Sequence, residues 1–204
     1  MGRRNPPRKQ ANKTDIPRSQ LRIIGGEWRG RKIEFFAVDG LRPTPDRVRE
    51  TLFNWIQSSV PGAQCLDLFS GSGALGLEAL SRGAASMTFI DLNPTTSRKL
   101  KDNIQLLKCQ NAEVVQANVL DWLQSRKTDC EQRYELVFLD PPFRQDLIAP
   151  CCELLEAHNL LSENALIYVE SESELHHPQV PSHWHEHRQK TAGQVTYRLY
   201  MRNS

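Results

Sequence analysis

The chain has 204 residues, 39% of them hydrophobic, enough for one ordinary domain with a buried core. No apolar run approaches the roughly 20 residues of a membrane-spanning helix, and the N-terminus has no secretory signal, which excludes a membrane protein and places the expected location in the cytoplasm. The net charge of +2 hides a split: residues 1–50 carry 13 Lys/Arg against 6 Asp/Glu, the rest 13 against 18, so the N-terminal part is suited to an anionic partner, nucleic acid first.

Residues 1–20 are basic, polar and rich in proline and cannot bury enough apolar surface to order themselves, so a disordered basic arm is expected. Residues 21–42 form the next unit. Leu21–Ile24 and Arg31–Phe35 are strand-like runs around the Gly-rich Gly25–Gly30, which predicts a β-hairpin. Arg22, Arg29, Arg31 and Lys32 stud it, with Trp28 among them, a set suited to contacts with phosphates and unstacked bases. Residues 43–204 then read as one catalytic domain. Thr44-Pro45-Asp46 is a helix start in which Thr44 can cap, and Val48, Leu52, Trp55 and Ile56 recur at helical spacing.

From Cys65 onward strands alternate with helices. Strands are predicted at Cys65–Phe69, Met87–Asp91, Val114–Ala117, Leu136–Asp140 and Leu166–Glu170. Helices lie between them at Ala74–Arg82, Pro94–Leu107, Val119–Gln124 and Leu147–His158. Alternation of this kind implies an α/β, Rossmann-like doubly wound sheet of five parallel strands. Trp184–Lys190 and Val195–Arg202, joined by a turn at Ala192-Gly193, must add an antiparallel pair. The five cysteines form no CxxC pair and read as reduced thiols.

The first strand runs into Asp67-Leu68-Phe69-Ser70-Gly71-Ser72-Gly73-Ala74-Leu75-Gly76. Glycines at a strand-to-helix turn let the backbone approach a ligand. A GxGxxG pattern alone is a weak signal shared with dinucleotide-binding proteins. Asp67, four residues before Gly71, would repel a pyrophosphate and suits a cationic ligand such as S-adenosylmethionine, directly or through water. Asp91 ends the second strand, where a carboxylate can accept both ribose hydroxyls. Phe69, Ser70 and Leu92 flank these positions. Asn118 can hydrogen-bond an adenine edge or simply cap the next helix; both readings stay open.

Asp140-Pro141-Pro142-Phe143 ends the fourth strand, across the switch point from the first. An exocyclic amine on a nucleobase is a poor nucleophile because its lone pair is delocalised into the ring. A carboxylate (Asp140) and a main-chain carbonyl (most simply that of Pro141) can accept its two N–H hydrogens and aim the lone pair at a methyl donor. Pro141 and Pro142 stiffen the turn, and Phe143 offers a face to stack a splayed-out base.

Arg22-Ile23-Ile24-Gly25-Gly26, Arg29-Gly30-Arg31, Leu41-Arg42-Pro43-Thr44 and Asp46–Asn54, together with the glycine turn, the Asp-Pro-Pro-Phe turn and Gly193-Gln194-Val195 with Tyr197-Arg198, carry a resemblance. The chain resembles the bacterial RsmD-type methyltransferases, which methylate N2 of guanine 966 in 16S ribosomal RNA, over about residues 21–202. The resemblance implies a class I methyltransferase fold, S-adenosylmethionine as donor, and 16S RNA within the small ribosomal subunit or its assembly intermediate as partner. Asp91 stands where that family leads one to expect Glu, which keeps the carboxylate.

Arg22, Arg29, Arg31, Lys32, Arg42 and Arg47, with Arg49, are expected to form an RNA surface whose affinity falls steeply with salt. The alternative for Arg47 and Arg49 is a pair with Glu50 or Asp46. His183, His185 and His187 alternate as on one strand face, but no acid or cysteine completes a metal site by spacing, and no metal is expected. A monomer is expected. Competing functions are methylation of another base, such as adenine N6 in DNA, and a non-catalytic RNA-binding assembly factor. A NAD-dependent oxidoreductase is disfavoured by Asp67 and by the Asp-Pro-Pro-Phe turn.

Overall fold

The structure is a computed structural model that describes residues 18–36, 44–127 and 132–203. Strands β1 (Arg18–Arg22) and β2 (Lys32–Phe36) pair antiparallel, with Leu21 opposite Ile33. β1 begins inside the stretch expected to be an arm, because Ser19 and Gln20 take ladder positions opposite Phe35 and Glu34. Helix α1 (Asp46–Trp55) follows. Then come β3 (Gln64–Asp67), α2 (Ala74–Ser81), β4 (Ser86–Asp91), α3 (Pro94–Leu107), β5 (Ala112–Gln116), α4 (Val119–Gln124), β6 (Tyr134–Leu139), α5 (Ile148–Ala157) and β7 (Leu161–Glu172). The long strands β8 (Trp184–Ala192) and β9 (Val195–Arg202) close the chain.

The main sheet has seven strands in the order β5-β4-β3-β6-β7-β9-β8. The first five are parallel, and β9 pairs antiparallel with both β7 and β8. This is the class I methyltransferase architecture: an α/β doubly wound sheet with a reversed edge. The chain winds outward from β3 to β5 and then returns to place β6 against β3, so the switch point falls between β3 and β6. Ligand sites in such sheets form at the carboxyl ends beside that point.

Local chemistry explains the element ends. Asn93 caps α3, its side chain accepting from Thr95 N at 2.9 Å and Thr96 N at 3.2 Å, with Pro94 in the first turn. Gly83 follows α2 with φ 96°, a left-handed conformation suited to glycine. Thr44 does not cap α1. The residue before that helix is Pro45, whose carbonyl accepts from Val48 N and Arg49 N, and no side chain caps it.

The hairpin is bolted to the domain. Leu21, Ile23, Trp28, Ile33 and Phe35 are buried in the same apolar cluster as α1, α2 and α3. Glu78 of α2, fully buried, accepts Ile24 N and Gly25 N, both at 2.8 Å, and Arg82 Nε at 2.7 Å. Gly26 sits at φ 75°, and a Cβ there would fall 1.8 Å from the Ser81 carbonyl oxygen, so only glycine lets the loop lie so close to α2.

Candidate active site

Asp67 and Asp91 end β3 and β4, Asp140 directly follows β6, and Glu170 lies two residues before the end of β7. The turn after β3 is built around this acidic edge. Ser70 N donates to Ile90 O at 2.9 Å and Gly73 N to Ser70 O at 2.7 Å, which folds the turn back on β4. Gly71 and Gly73 take φ 49° and 77°. At Gly73 an added Cβ would fall 2.5 Å from Leu100 Cδ1.

Asp91 holds the turn directly. Its Oδ2 accepts Gly71 N at 2.8 Å and its Oδ1 accepts Asn93 N at 2.7 Å. Each oxygen keeps lone pairs for further donors, as ribose hydroxyls would require. Burial raises the Asp91 pKa, and the amides of Asn93 and Gly71 oppose that rise. Asp67 is placed differently from a surface anchor. It is 2% exposed, and its carboxylate accepts hydrogen bonds from the backbone of Gly76 and Phe69. Burial pushes it up to about 7, those amides oppose the shift, and Asp91 adds to it. Asp67 therefore shapes the turn from beneath.

Asn118 is the N-cap of α4, its Oδ1 accepting from Leu120 N at 2.9 Å and Asp121 N at 3.3 Å. The capping reading thus accounts for its oxygen, and its side-chain NH2 is the group it can offer an adenine. Leu92, directly after Asp91, is 65% exposed, and Phe143 is 38% exposed. These are two of the three large hydrophobic side chains exposed among the described residues. An apolar side chain left in water beside strand ends is informative in a way that a scattered one is not.

The Asp-Pro-Pro-Phe turn lies beside the glycine turn. Asp67 pairs with Phe138, and Leu68 N donates to Phe138 O at 3.1 Å. Pro141 is buried, Pro142 and Phe143 are exposed, and Asp140 is partly buried. Asp140 has its pKa raised well above the usual carboxylate value, first by burial, then by Glu170 and Asp67, with a hydrogen bond from Thr44 opposing. Thr44, Glu170 and Tyr168 were not among the residues expected at the site. Glu170 could have been found as the acidic residue ending the fifth parallel strand. Thr44 stood in the most family-specific segment, but its apparent role as a cap concealed this one.

Of the basic residues, Arg22, Arg29, Arg31, Lys32 and Arg47 are exposed; Arg31 Nη2 also donates to Leu106 O at 2.9 Å. Arg42 lies outside the described residues. Trp28 as a base contact is corrected, and for Arg49 the alternative of a pair with Asp46 holds in place of the RNA surface. Trp28 is 8% exposed and packs in the core, so it offers no face to a base. Arg49 is 1% exposed and binds Asp46 Oδ1 at 2.7 Å, Arg22 O at 2.8 Å and Glu78 Oε2 at 3.5 Å, so it is an internal strut. A cleft of about 430 Å3 lined by Arg22, Lys32, Thr44 and Asp46 runs between the hairpin and the start of α1. It joins the basic hairpin to Thr44 at the start of α1.

At the opposite edge of the sheet His183 Nε2 lies 3.0 Å from Glu156 Oε1, while His185 and His187 are exposed on β8. Among the described residues no group of three or more His, Cys, Asp or Glu is arranged to hold a metal, and no helix is long and apolar enough to cross a membrane.

The family model described as "Conserved hypothetical protein 95" matches residues 21–201. Ribosomal RNA small subunit methyltransferase D of Escherichia coli K12 is 52% identical over 185 residues, covering 91% of each chain. The chain belongs to the ribosomal RNA small subunit methyltransferase D family. A second member, from Haemophilus influenzae, is 46% identical over 190 residues, 92% of this chain and 96% of its own. Among solved structures, Escherichia coli yhhF superposes with a TM-score of 0.83 at 53% identity, over 91% of this chain and 99% of that one. The Thermus thermophilus 16S rRNA N2 G1207 methyltransferase, in complex with AdoMet and guanosine, superposes with a TM-score of 0.66 at 16% identity, over 92% of this chain and 50% of that one. At that identity the match speaks for the shared fold.

Proposed function

We propose that the chain methylates the exocyclic N2 of guanine 966 in 16S ribosomal RNA, with S-adenosylmethionine as donor. The observation that carries this reading is the parallel pairing of β3 with β6, Asp67 opposite Phe138 and Leu68 N donating to Phe138 O, which makes the glycine turn and Asp140-Pro141-Pro142-Phe143 leave the sheet side by side at the switch point. The residues suit the donor. Asp67 and Asp91 place negative charge under a cationic ligand, Asp91 keeps lone pairs for ribose hydroxyls, and Leu92 and the half-buried Phe69 offer apolar surface for an adenine, with the Asn118 amide at its edge. Bound there, S-adenosylmethionine supplies an electrophilic methyl group on a sulfonium centre.

The chain's own residues then do three things. Asp140 and the Pro141 carbonyl accept the two N–H hydrogens of the acceptor amine and orient its lone pair. Pro141 and Pro142 hold those acceptors in fixed directions. Phe143, at the rim, stacks the base drawn out of its RNA context. Arg22, Arg29, Arg31, Lys32 and Arg47 hold phosphates around the cleft that leads from the hairpin to Thr44, and Arg42 belongs to the same group by sequence. The choice of 16S RNA within the small subunit or its assembly intermediate rests on family membership, as does the choice of guanine over adenine. The enzyme acts as a monomer.

Asp140→Ala removes one of the two acceptors and abolishes transfer, while S-adenosylmethionine binding, read by calorimetry, is largely kept. Near-normal turnover by that variant refutes the site. Transfer to undermethylated small subunits but not to DNA separates the guanine reading from an adenine N6 enzyme.

A further inference from the structure

Arg144 directly follows the ring that stacks the acceptor base, and the scheme above gives it no role. It is the one Lys or Arg in the two stretches that meet at this corner, Asp140 to Asp146 after β6 and Glu170 to His177 at the end of β7. The acids of those stretches are Asp140, Asp146, Glu170, Glu172 and Glu174. A nucleotide that brings its base to Asp140 carries its phosphate past them, and a cation at the rim would offset that repulsion.

The Arg144 guanidinium is uncommitted. Its side chain is 79% exposed, and its partner among the described residues is Glu174, with Nη2 3.9 Å from Oε1. That length is beyond hydrogen-bond range, so all five N–H donors of the side chain remain for a ligand. The backbone points the same way. Arg144 takes φ 60° in the turn after Phe143, and Asp146 takes φ 52°. The other left-handed residues that are not glycine have local reasons. Lys108 and Asn159 close α3 and α5, and Asn164 lies in the irregular stretch of β7 between Leu161 and Leu166. Arg144 stands at no helix end, and a long side chain held left-handed there marks a position under functional constraint.

Glu174, by contrast, rides on a fixed turn. Arg198 of β9 is 2% exposed. It donates through Nη2 to the carbonyls of Leu175 at 3.1 Å and His176 at 3.0 Å, and through Nη1 to Ser171 Oγ at 3.0 Å. Ser173 N donates to Gln194 O at 2.9 Å and Leu175 N to Glu172 O at 3.1 Å. A rigid carboxylate thus stands beside a guanidinium that nothing else holds.

We propose that Arg144 binds the phosphate of the nucleotide whose base stacks on Phe143, and that Glu174 is the anion it leaves when the RNA arrives. The inference rests on the reading of Asp140-Pro141-Pro142-Phe143 as the acceptor site and adds a phosphate subsite to it. Consecutive Cα atoms are about 3.8 Å apart, so ring and guanidinium can hold the base and the phosphate of one nucleotide. The planar fork of arginine matches two phosphate oxygens, whereas its exposed pair with Glu174 is weak, so the phosphate displaces the carboxylate.

The test is equilibrium binding to small subunits purified from cells lacking the protein, over a series of salt concentrations. Arg144→Ala should weaken binding on the order of tenfold. It should also make the slope of log K against log salt shallower by roughly 0.7 to 0.9, the contribution of one phosphate contact. Arg144→Lys keeps the charge and should keep the slope. Glu174→Gln removes the competing anion and should tighten binding roughly twofold to fivefold. Affinity for S-adenosylmethionine, read by calorimetry, should be unchanged in all three variants, which also shows that they fold. The opposite signs of Arg144→Ala and Glu174→Gln are what a merely structural pair cannot produce. An ion pair that only fastens the two turns together predicts weaker binding in both, and that result overturns the inference. An Arg144→Ala affinity and slope equal to those of the wild type overturns it too. Either result leaves the acceptor site standing; turnover by Asp140→Ala would overturn the site instead.

Discussion

Asp67 and Glu170 are each pushed up to about 7 by burial, from ordinary values of 3.8 and 4.5. In the unfolded chain they ionise at those ordinary values, so between them and about 7 the native state binds protons that the unfolded state has released. The stability they contribute is complete below the unfolded values and is lost as pH rises through the folded ones. Glu156 is shifted the other way, chiefly by the hydrogen bonds of Arg202, Trp184 and His183 acting against its burial. Its effect therefore falls at lower pH, outside this window. The melting temperature should decline from about pH 5 to about pH 8, and Asp67→Asn or Glu170→Gln should each flatten the decline. A wild-type curve that is flat or rising over that range would contradict the burial of these acids.

At the scale of elements, the hairpin, α1 and α2 meet on Glu78. Two backbone amides of the loop between β1 and β2, the Arg82 side chain and the Arg49 side chain all converge on its carboxylate. Glu78→Ala would leave two loop amides without their acceptor and remove one carboxylate from Arg82 and Arg49, the latter keeping Asp46, a loss of about 2–5 kcal/mol; calorimetric unfolding measures it, and a change below about 1 kcal/mol would mean that the hairpin is held by its apolar side chains alone. The same elements mark the boundary of what a sequence can reveal. Alternation of apolar runs located all seven strands of the main sheet, and the turns at Gly71–Gly73 and Asp140–Phe143 were legible because glycine and proline impose backbone geometry locally. The burial of Arg49 and Trp28 was not legible. Partners of both lie on α2, dozens of residues away, Ser81 for Trp28 and Glu78 for Arg49, and their residue types equally suit a nucleic-acid surface. Thr44 illustrates the same limit: Thr-Pro-Asp has every local feature of a helix cap, yet no side chain caps α1 and Thr44 is buried instead.

On the scale of the whole molecule, the charge asymmetry seen in the sequence becomes a spatial arrangement. The acids Asp67, Asp91, Asp140 and Glu170 gather along one edge of the sheet, while Arg22, Arg29, Arg31, Lys32 and Arg47 stay exposed on the hairpin and α1. A cleft lined by Arg22, Lys32 and Thr44 opens on the basic surface between the hairpin and the start of α1. A phosphate backbone held on the basic surface would present a base to the acidic edge. The central claim, that this edge methylates one guanine of small-subunit RNA, is tested most directly by mass mapping of methylated nucleotides in 16S RNA from cells lacking the protein. The account predicts that N2-methylguanine disappears at position 966 and returns with the wild-type chain but not with Asp140→Ala. Full methylation of that guanine in the deleted cells would contradict it.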